Sequence, residues 1–141
     1  MASDPKLEHL AQVKMFSSLN KKELAMVSRA SDVITVKDGT DIVKEGTYGH
    51  DFYLILEGAA TVRRNGRKVA ELGPGNYFGE LSLLDNGPRS ATITAAGETE
   101  LAVIGQREFM AVLDQVPAVS RKLLMTMASR LREADTKALS H

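Results

Sequence analysis

Apolar residues near the N-terminus recur at helical spacing: Leu7, Leu10 and Val13, then Leu24 and Val27. Residues 6–30 are therefore predicted to be helical, in two pieces. Asn20 with Glu23 three residues later resembles a capping box, which places the start of the second piece. Phe16 and Leu19, between the pieces, are expected to plug the helices onto a larger body. From residue 33 the period changes to two. Short β-rich runs follow at 33–36, 41–44, 51–56, 60–64, 68–72, 90–95 and 100–104. Turn pairs divide them: Asp38-Gly39, Glu45-Gly46, Glu57-Gly58, Asn65-Gly66, Gly73-Pro74-Gly75 and Gly97-Glu98. Asn65-Gly66 is a strong hairpin signal, because both central residues of that turn take positive φ. Many short strands at regular spacing predict a sandwich, barrel or jelly roll.

The strand period fails between Phe78 and Leu84, where a helix of about six residues is expected; one so short needs tertiary contacts to hold it. Asn86-Gly87 should end it, with glycine as the left-handed cap, and Pro88 blocks continuation. After residue 105 the helical period returns. Phe109, Val112 and Leu113 mark a short helix, and Pro117 suits the first turn of a longer one. In that helix Leu124, Met127, Leu131, Ala134 and Ala138 are spaced 3, 4, 3 and 4. Such a stripe either packs on the chain's own barrel or forms a dimer seam, and two to three heptads do not decide between them. The predicted fold is mainly β with flanking helices: a jelly-roll barrel over 33–104, helices before it, and C-terminal helices over 106–138. The whole chain, 1–141, is read as one domain.

Composition narrows the function classes. The chain has 141 residues, 43% hydrophobic and 26% charged, which suits one soluble globular domain. Eighteen basic residues balance eighteen acidic ones, so nothing favours non-specific nucleic-acid binding. Arg63-Arg64 and Arg67-Lys68 flank the Asn65-Gly66 turn and are read as a solvated hairpin tip. Without cysteine there is no disulfide, thiolate metal site or thiol catalysis. The N-terminus lacks a signal-peptide core and no stretch has the length of a membrane span, so a cytoplasmic location is expected. His9, His50 and His141 are scattered, without metal-ligand spacing. Residues 73–79 superficially resemble a dinucleotide fingerprint, but the third glycine is one position late and no βαβ unit follows. No enzyme is expected, and neither a cofactor nor a metal.

The chemistry that remains is concentrated in the segment that breaks the strand pattern. Gly79 would admit close approach to the backbone, and the first amides of the short helix after it are unpaired. Arg89 carries a planar fork suited to phosphate, and Pro88 stiffens the chain before it. Glu80 beside an anion site makes sense if it accepts a hydrogen from a sugar hydroxyl. An ordinary Glu80–Arg89 ion pair explains the same residues.

The stretch Phe78-Gly79-Glu80-Leu81-Ser82-Leu83-Leu84, continued by Pro88-Arg89-Ser90-Ala91-Thr92, resembles the phosphate-binding cassette of cyclic nucleotide-binding domains. The resemblance extends over about residues 10–135, with Gly46, Asp51-Phe52-Tyr53 and Gly58 at the barrel turns. It implies that Glu80 accepts from the ribose 2′-hydroxyl and Arg89 pairs with the cyclic phosphate. It implies that amides of Gly79, Leu81 and Ser82, with Ser90 and Ala91, hold phosphate or sugar oxygens. Val62 would lie against the base, with Val69 and Leu83 as weaker pocket candidates. Ser129, Arg130 and Arg132 are candidates to close over the pocket from the last helix. The implied ligand is cAMP or cGMP, with cAMP favoured by family frequency and Ser90 leaving the base open. The implied partners are this nucleotide and, through the C-terminal helix, a second copy or an effector domain. Direct nucleic-acid binding is not expected of this chain. The alternatives are the effector-binding piece of a DNA-binding regulator, or an interaction barrel independent of nucleotide.

Overall fold

The structure, a computed structural model, describes residues 5–139. Two helices, α1 (Pro5–Ala11) and α2 (Lys21–Ala30), are joined through a single 3-10 turn at Lys14–Phe16. The capping box at the start of α2 is complete: the Glu23 amide donates to Asn20 Oδ1 at 2.8 Å, and the Asn20 amide to Glu23 Oε1 at 3.0 Å. Phe16 is buried and Leu19 packs against the same core, as expected.

Eight strands follow in two antiparallel four-stranded sheets, the layout of a jelly roll. They are β1 (Ser31–Val36), β2 (Asp41–Val43), β3 (Asp51–Glu57), β4 (Ala60–Arg64), β5 (Arg67–Leu72), β6 (Tyr77–Phe78), β7 (Thr92–Ala95) and β8 (Thr99–Gly105). One sheet has the order β1-β8-β3-β6 and the other β2-β7-β4-β5. The Asn65-Gly66 turn joins β4 to β5 with φ of 54° and 78°, as its residues require.

The run Phe52-Tyr53-Leu54-Ile55-Leu56 is apolar at every position, and the architecture explains why. Phe52, Leu54 and Leu56 project into the core shared with the helices. Tyr53 and Ile55 project the other way, into the core between the two sheets. On β8, Ala102 and Ile104 face the helices, while Leu101 and Val103 face the second sheet. A strand covered on both faces has no solvent side to mark with polar residues.

Four expectations need correction. Phe78 is not where strand pairing stops: it belongs to β6 and pairs with Tyr53. The strand expected from Ser90 begins at Thr92, because the Arg89 backbone pairs with the preceding turn instead. Its amide donates to Thr47 O at 2.7 Å, and the Gly46 amide donates to Arg89 O at 2.8 Å. The left-handed cap of the short helix α3 (Glu80–Asp85) is Asn86, with φ of 59°, and not Gly87. Asparagine tolerates that conformation, and Gly87 instead donates its amide to Asp85 Oδ1 at 2.8 Å.

The fourth correction concerns the last helices, α4 (Gln106–Gln115) and α5 (Pro117–Leu139). Helix α5 does pack on its own chain, through Met127 of the expected stripe together with Val119 and Leu123. Leu124 and Leu131 of the expected stripe are 66% and 64% exposed, and Met125 beside them is 65% exposed. Ala134 is exposed as well. The side chain of Ala138, and His141, lie outside the described residues. Among the described residues no helix is long and apolar enough to cross a membrane.

Candidate functional site

Between the second sheet, α3 and α5 lies a cavity of about 460 Å³, within the range of small-molecule sites. All eight residues singled out by sequence line it: Val62, Gly79, Glu80, Leu81, Ser82, Arg89, Ser90 and Ala91. Val69 and Arg130 join them. Leu83 does not; it is fully buried in the core shared with the helices. Ser129 and Arg132 are exposed and away from the lining.

The local sequence positions each group. Gly79 precedes α3 with φ of 95°, a left-handed turn that sends the chain from β6 into the helix. The far end of α3 is held by Gln106, whose Nε2 donates to Leu83 O and Asn86 Oδ1, both at 3.1 Å. A helix this short is thus fixed at its exit by a side chain of α4. Pairing of β4 with β5 skips Val69, since Val62 faces Ala70 while Arg63 faces Lys68. That bulge leaves Val69 half-exposed in the cavity wall.

Arg89 is 6% exposed. Its Nη1 donates to Gly79 O at 3.2 Å and its Nη2 to Asp51 O at 3.0 Å. Two glycines make room for it. A Cβ at Gly49 would sit 2.5 Å from Nη2, and one at Gly79 would sit 2.8 Å from Nη1. None of the ion pairs among the described residues includes Arg89. A buried cation whose partners are neutral carbonyls leaves its charge to be matched by something else in the cavity.

Glu80, 4% exposed, is the other buried charge among the described residues. It does not form the simple pair with Arg89 that the sequence allowed. Its Oε1 accepts from Arg130 Nη1 of α5 at 3.2 Å. Burial pushes the Glu80 carboxyl above the usual glutamate value; its own backbone N–H, then Arg130, then Arg89 pull it part of the way back. The Arg130 guanidinium also lies over the Tyr77 ring, 5.8 Å from its centroid. Helix α5 therefore reaches the cavity through Glu133 and through Arg130, which touches both a carboxylate and an aromatic face.

Sequence reasoning did not find Gly49, the Asp51 carbonyl, Tyr77 or Glu133. Gly49 carried a faint signal, a second glycine close after Gly46 in the turn leading to β3. Its role is space for a side chain forty residues away, which no local pattern encodes. Arg64 was placed at a solvated hairpin tip, yet it lines the cavity, and its Nε donates to Ser90 O at 3.1 Å.

The model of the cyclic nucleotide-binding domain matches residues 33–116, the barrel with its cassette and α4. This chain belongs to the cyclic nucleotide-binding domain family. It is 37% identical to the cAMP-dependent protein kinase regulatory subunit of Mucor circinelloides over 111 residues, 76% of this chain and 26% of that protein. It is 39% identical to the cyclic AMP receptor protein of Thermus thermophilus over 102 residues, 69% of this chain and 47% of that protein. Among solved structures, the catabolite activator protein of Thermus thermophilus superposes with a TM-score of 0.82 at 34% identity. That match covers 88% of this chain and 61% of the other. The domain therefore spans between a quarter and a half of the length of these curated relatives.

Proposed function

We propose that this domain is a cyclic nucleotide sensor whose ligand is cAMP in preference to cGMP, and that all eight cavity residues contact it. The observation that carries the reading is the buried Arg89 guanidinium, without a carboxylate partner, in the same cavity as the buried Glu80. Arg89 matches the cyclic phosphate and Glu80 the ribose 2′-hydroxyl. The first amides of α3, with Ser90 and Ala91, take the remaining phosphate and sugar oxygens. Val62 and Val69 present apolar surface to the base. The preference for cAMP rests on the names of the two curated relatives, since the Ser90 hydroxyl serves either purine.

Micromolar affinity requires about 8 kcal/mol, and charge-assisted hydrogen bonds contribute about 1.5–3 kcal/mol each. The polar contacts therefore set specificity, and burial of the base supplies the rest. Calorimetric titration should show cAMP binding at micromolar level or tighter, with cGMP weaker; absence of binding by both nucleotides refutes the reading. The same titrations should weaken with acidification. Ionised Glu80 accepts the ribose hydrogen through a charge-assisted bond stronger than the neutral carboxyl can make, and burial raises its carboxyl. Affinity is then fully present above that raised value and lost as pH falls through it. The loss begins at a higher pH than the value of about 4.3 for an exposed glutamate. An affinity flat down to about pH 4.3 removes Glu80 from the ribose.

The signal would leave through α5. Arg130 ties that helix to Glu80, so a ligand that prefers one position of α5 shifts its population by the difference in affinity. Exposed Leu124, Met125 and Leu131 give α5 an apolar face for a second copy or an effector domain. Sedimentation of the isolated chain tests the first of these: a monomer at every concentration leaves the face to an effector. An effector-binding role within a longer DNA-binding regulator also suits a domain that matches under half of the cyclic AMP receptor protein.

A further inference from the structure

We propose that Arg64 is a second phosphate-directed residue of this pocket, a rim guanidinium that draws the nucleotide in and sets its association rate. The proposal rests on the cyclic nucleotide reading above. Arg64 follows Val62 by two positions on β4, so the two share one face of the strand, and both line the cavity. Its Nε donates to the carbonyl of Ser90, the residue directly after Arg89. The exposed guanidinium is therefore anchored beside the segment that carries the buried one. Its Nη groups have no partner among the described residues, and none of the ion pairs among them includes it. The Glu45 carboxylate, whose Oε1 accepts from the Asn65 amide at 3.0 Å, makes no ion pair with it.

The charge balance of the cavity wall gives this residue its role. Arg64, Arg89 and Arg130 stand against Glu80 and Glu133, three positive groups to two negative, which leaves one net positive charge. Remove Arg64 and the wall is neutral. A monoanionic cyclic phosphate would then lose the net positive charge of the lining on its way to Arg89. A charge at the rim of a site acts on the encounter, through the association rate and its salt dependence, more than on dissociation.

Stopped-flow mixing with a base-labelled fluorescent cAMP tests this on wild type, Arg64→Gln and Arg64→Lys. Glutamine retains an amide donor for the Ser90 carbonyl, and a melting curve without nucleotide checks that the barrel is intact. At low ionic strength Arg64→Gln should associate about three- to tenfold more slowly, with dissociation changed by less than about twofold. Arg64→Lys should retain most of the wild-type rate. Near 1 M salt, where screening acts within about 3 Å, the variants should converge. An unchanged association rate in Arg64→Gln overturns the proposal, as does a slowing that persists at high salt. A changed preference between unlabelled cAMP and cGMP in competition, with wild-type salt dependence, assigns Arg64 to the base and equally overturns it. A wild type that binds neither nucleotide removes the functional reading itself, whereas a binding wild type with a silent Arg64→Gln removes this proposal alone.

Discussion

Arg89→Ala should weaken cAMP binding by about a hundredfold or more. Two parallel charge-assisted hydrogen bonds to a phosphate contribute about 1.5–3 kcal/mol each, and the loss of both corresponds to at least that factor. The variant should also melt at a lower temperature without nucleotide, because the Gly79 and Asp51 carbonyls lose their donor. Lysine should not rescue binding. Its single ammonium does not reach both carbonyls in the planar fork for which Gly49 and Gly79 leave space. Titration calorimetry paired with melting curves separates the two effects. A loss in affinity smaller than about tenfold would show that Arg89 serves the fold and not the phosphate.

Gly79→Ala is expected to be the most damaging single-carbon change at the site. The residue sits at φ of 95°, where a side chain costs about 1–2 kcal/mol. The added Cβ would also lie 2.7 Å from the Asp51 carbonyl oxygen. That oxygen belongs to the backbone of β3, which is paired to β8 and has no freedom to retreat. Overpacking of this kind costs about 1–3 kcal/mol, so chemical denaturation should show a total loss of roughly 2–5 kcal/mol. Because Arg89 Nη1 lies against the same position, nucleotide affinity should fall with stability. A variant as stable as wild type would mean that the turn before α3 can adopt another path.

The fold was largely legible because its signals are local. Period-two runs, Asn65-Gly66, the Asn20–Glu23 box and Pro117 each act within a few residues. Most of the failures share a cause, a partner distant in sequence; the Asn86 cap, decided between neighbouring residues, is the exception. The two-residue β6 exists because Tyr77 and Phe78 meet Leu54 and Tyr53. Ser90 stays out of its strand because the 44–47 turn captures the Arg89 backbone. The stripe on α5 follows from spacing alone, whereas packing against α4 and the N-terminal turn keeps only Met127 of it and adds Val119 and Leu123. At the site, seven of the eight residues that line the cavity lie in one stretch, 79–91, that breaks the strand pattern, and Val62 is placed by the resemblance alone. Gly49, Tyr77 and Glu133 come from the turn before β3, from β6 and from α5, and beyond the faint glycine signal at Gly49 nothing in their own surroundings sets them apart.

The two-sided burial of β3 also decides where this domain can vary. From Phe52 to Leu56 every side chain meets either the helices or the second sheet, so a polar replacement has no solvent to turn toward. On β5 the positions from Arg67 to Glu71 are exposed, and substitutions there carry little cost to the fold. Yet Val69, Ala70 and Leu72 of that strand form part of the wall of the cavity. The most permissive strand of the barrel thus borders its pocket, while the arginine and glutamate sit where substitution is punished. Drift in the shape of the cavity therefore has an open route through β5 that leaves the buried Arg89 and Glu80 untouched.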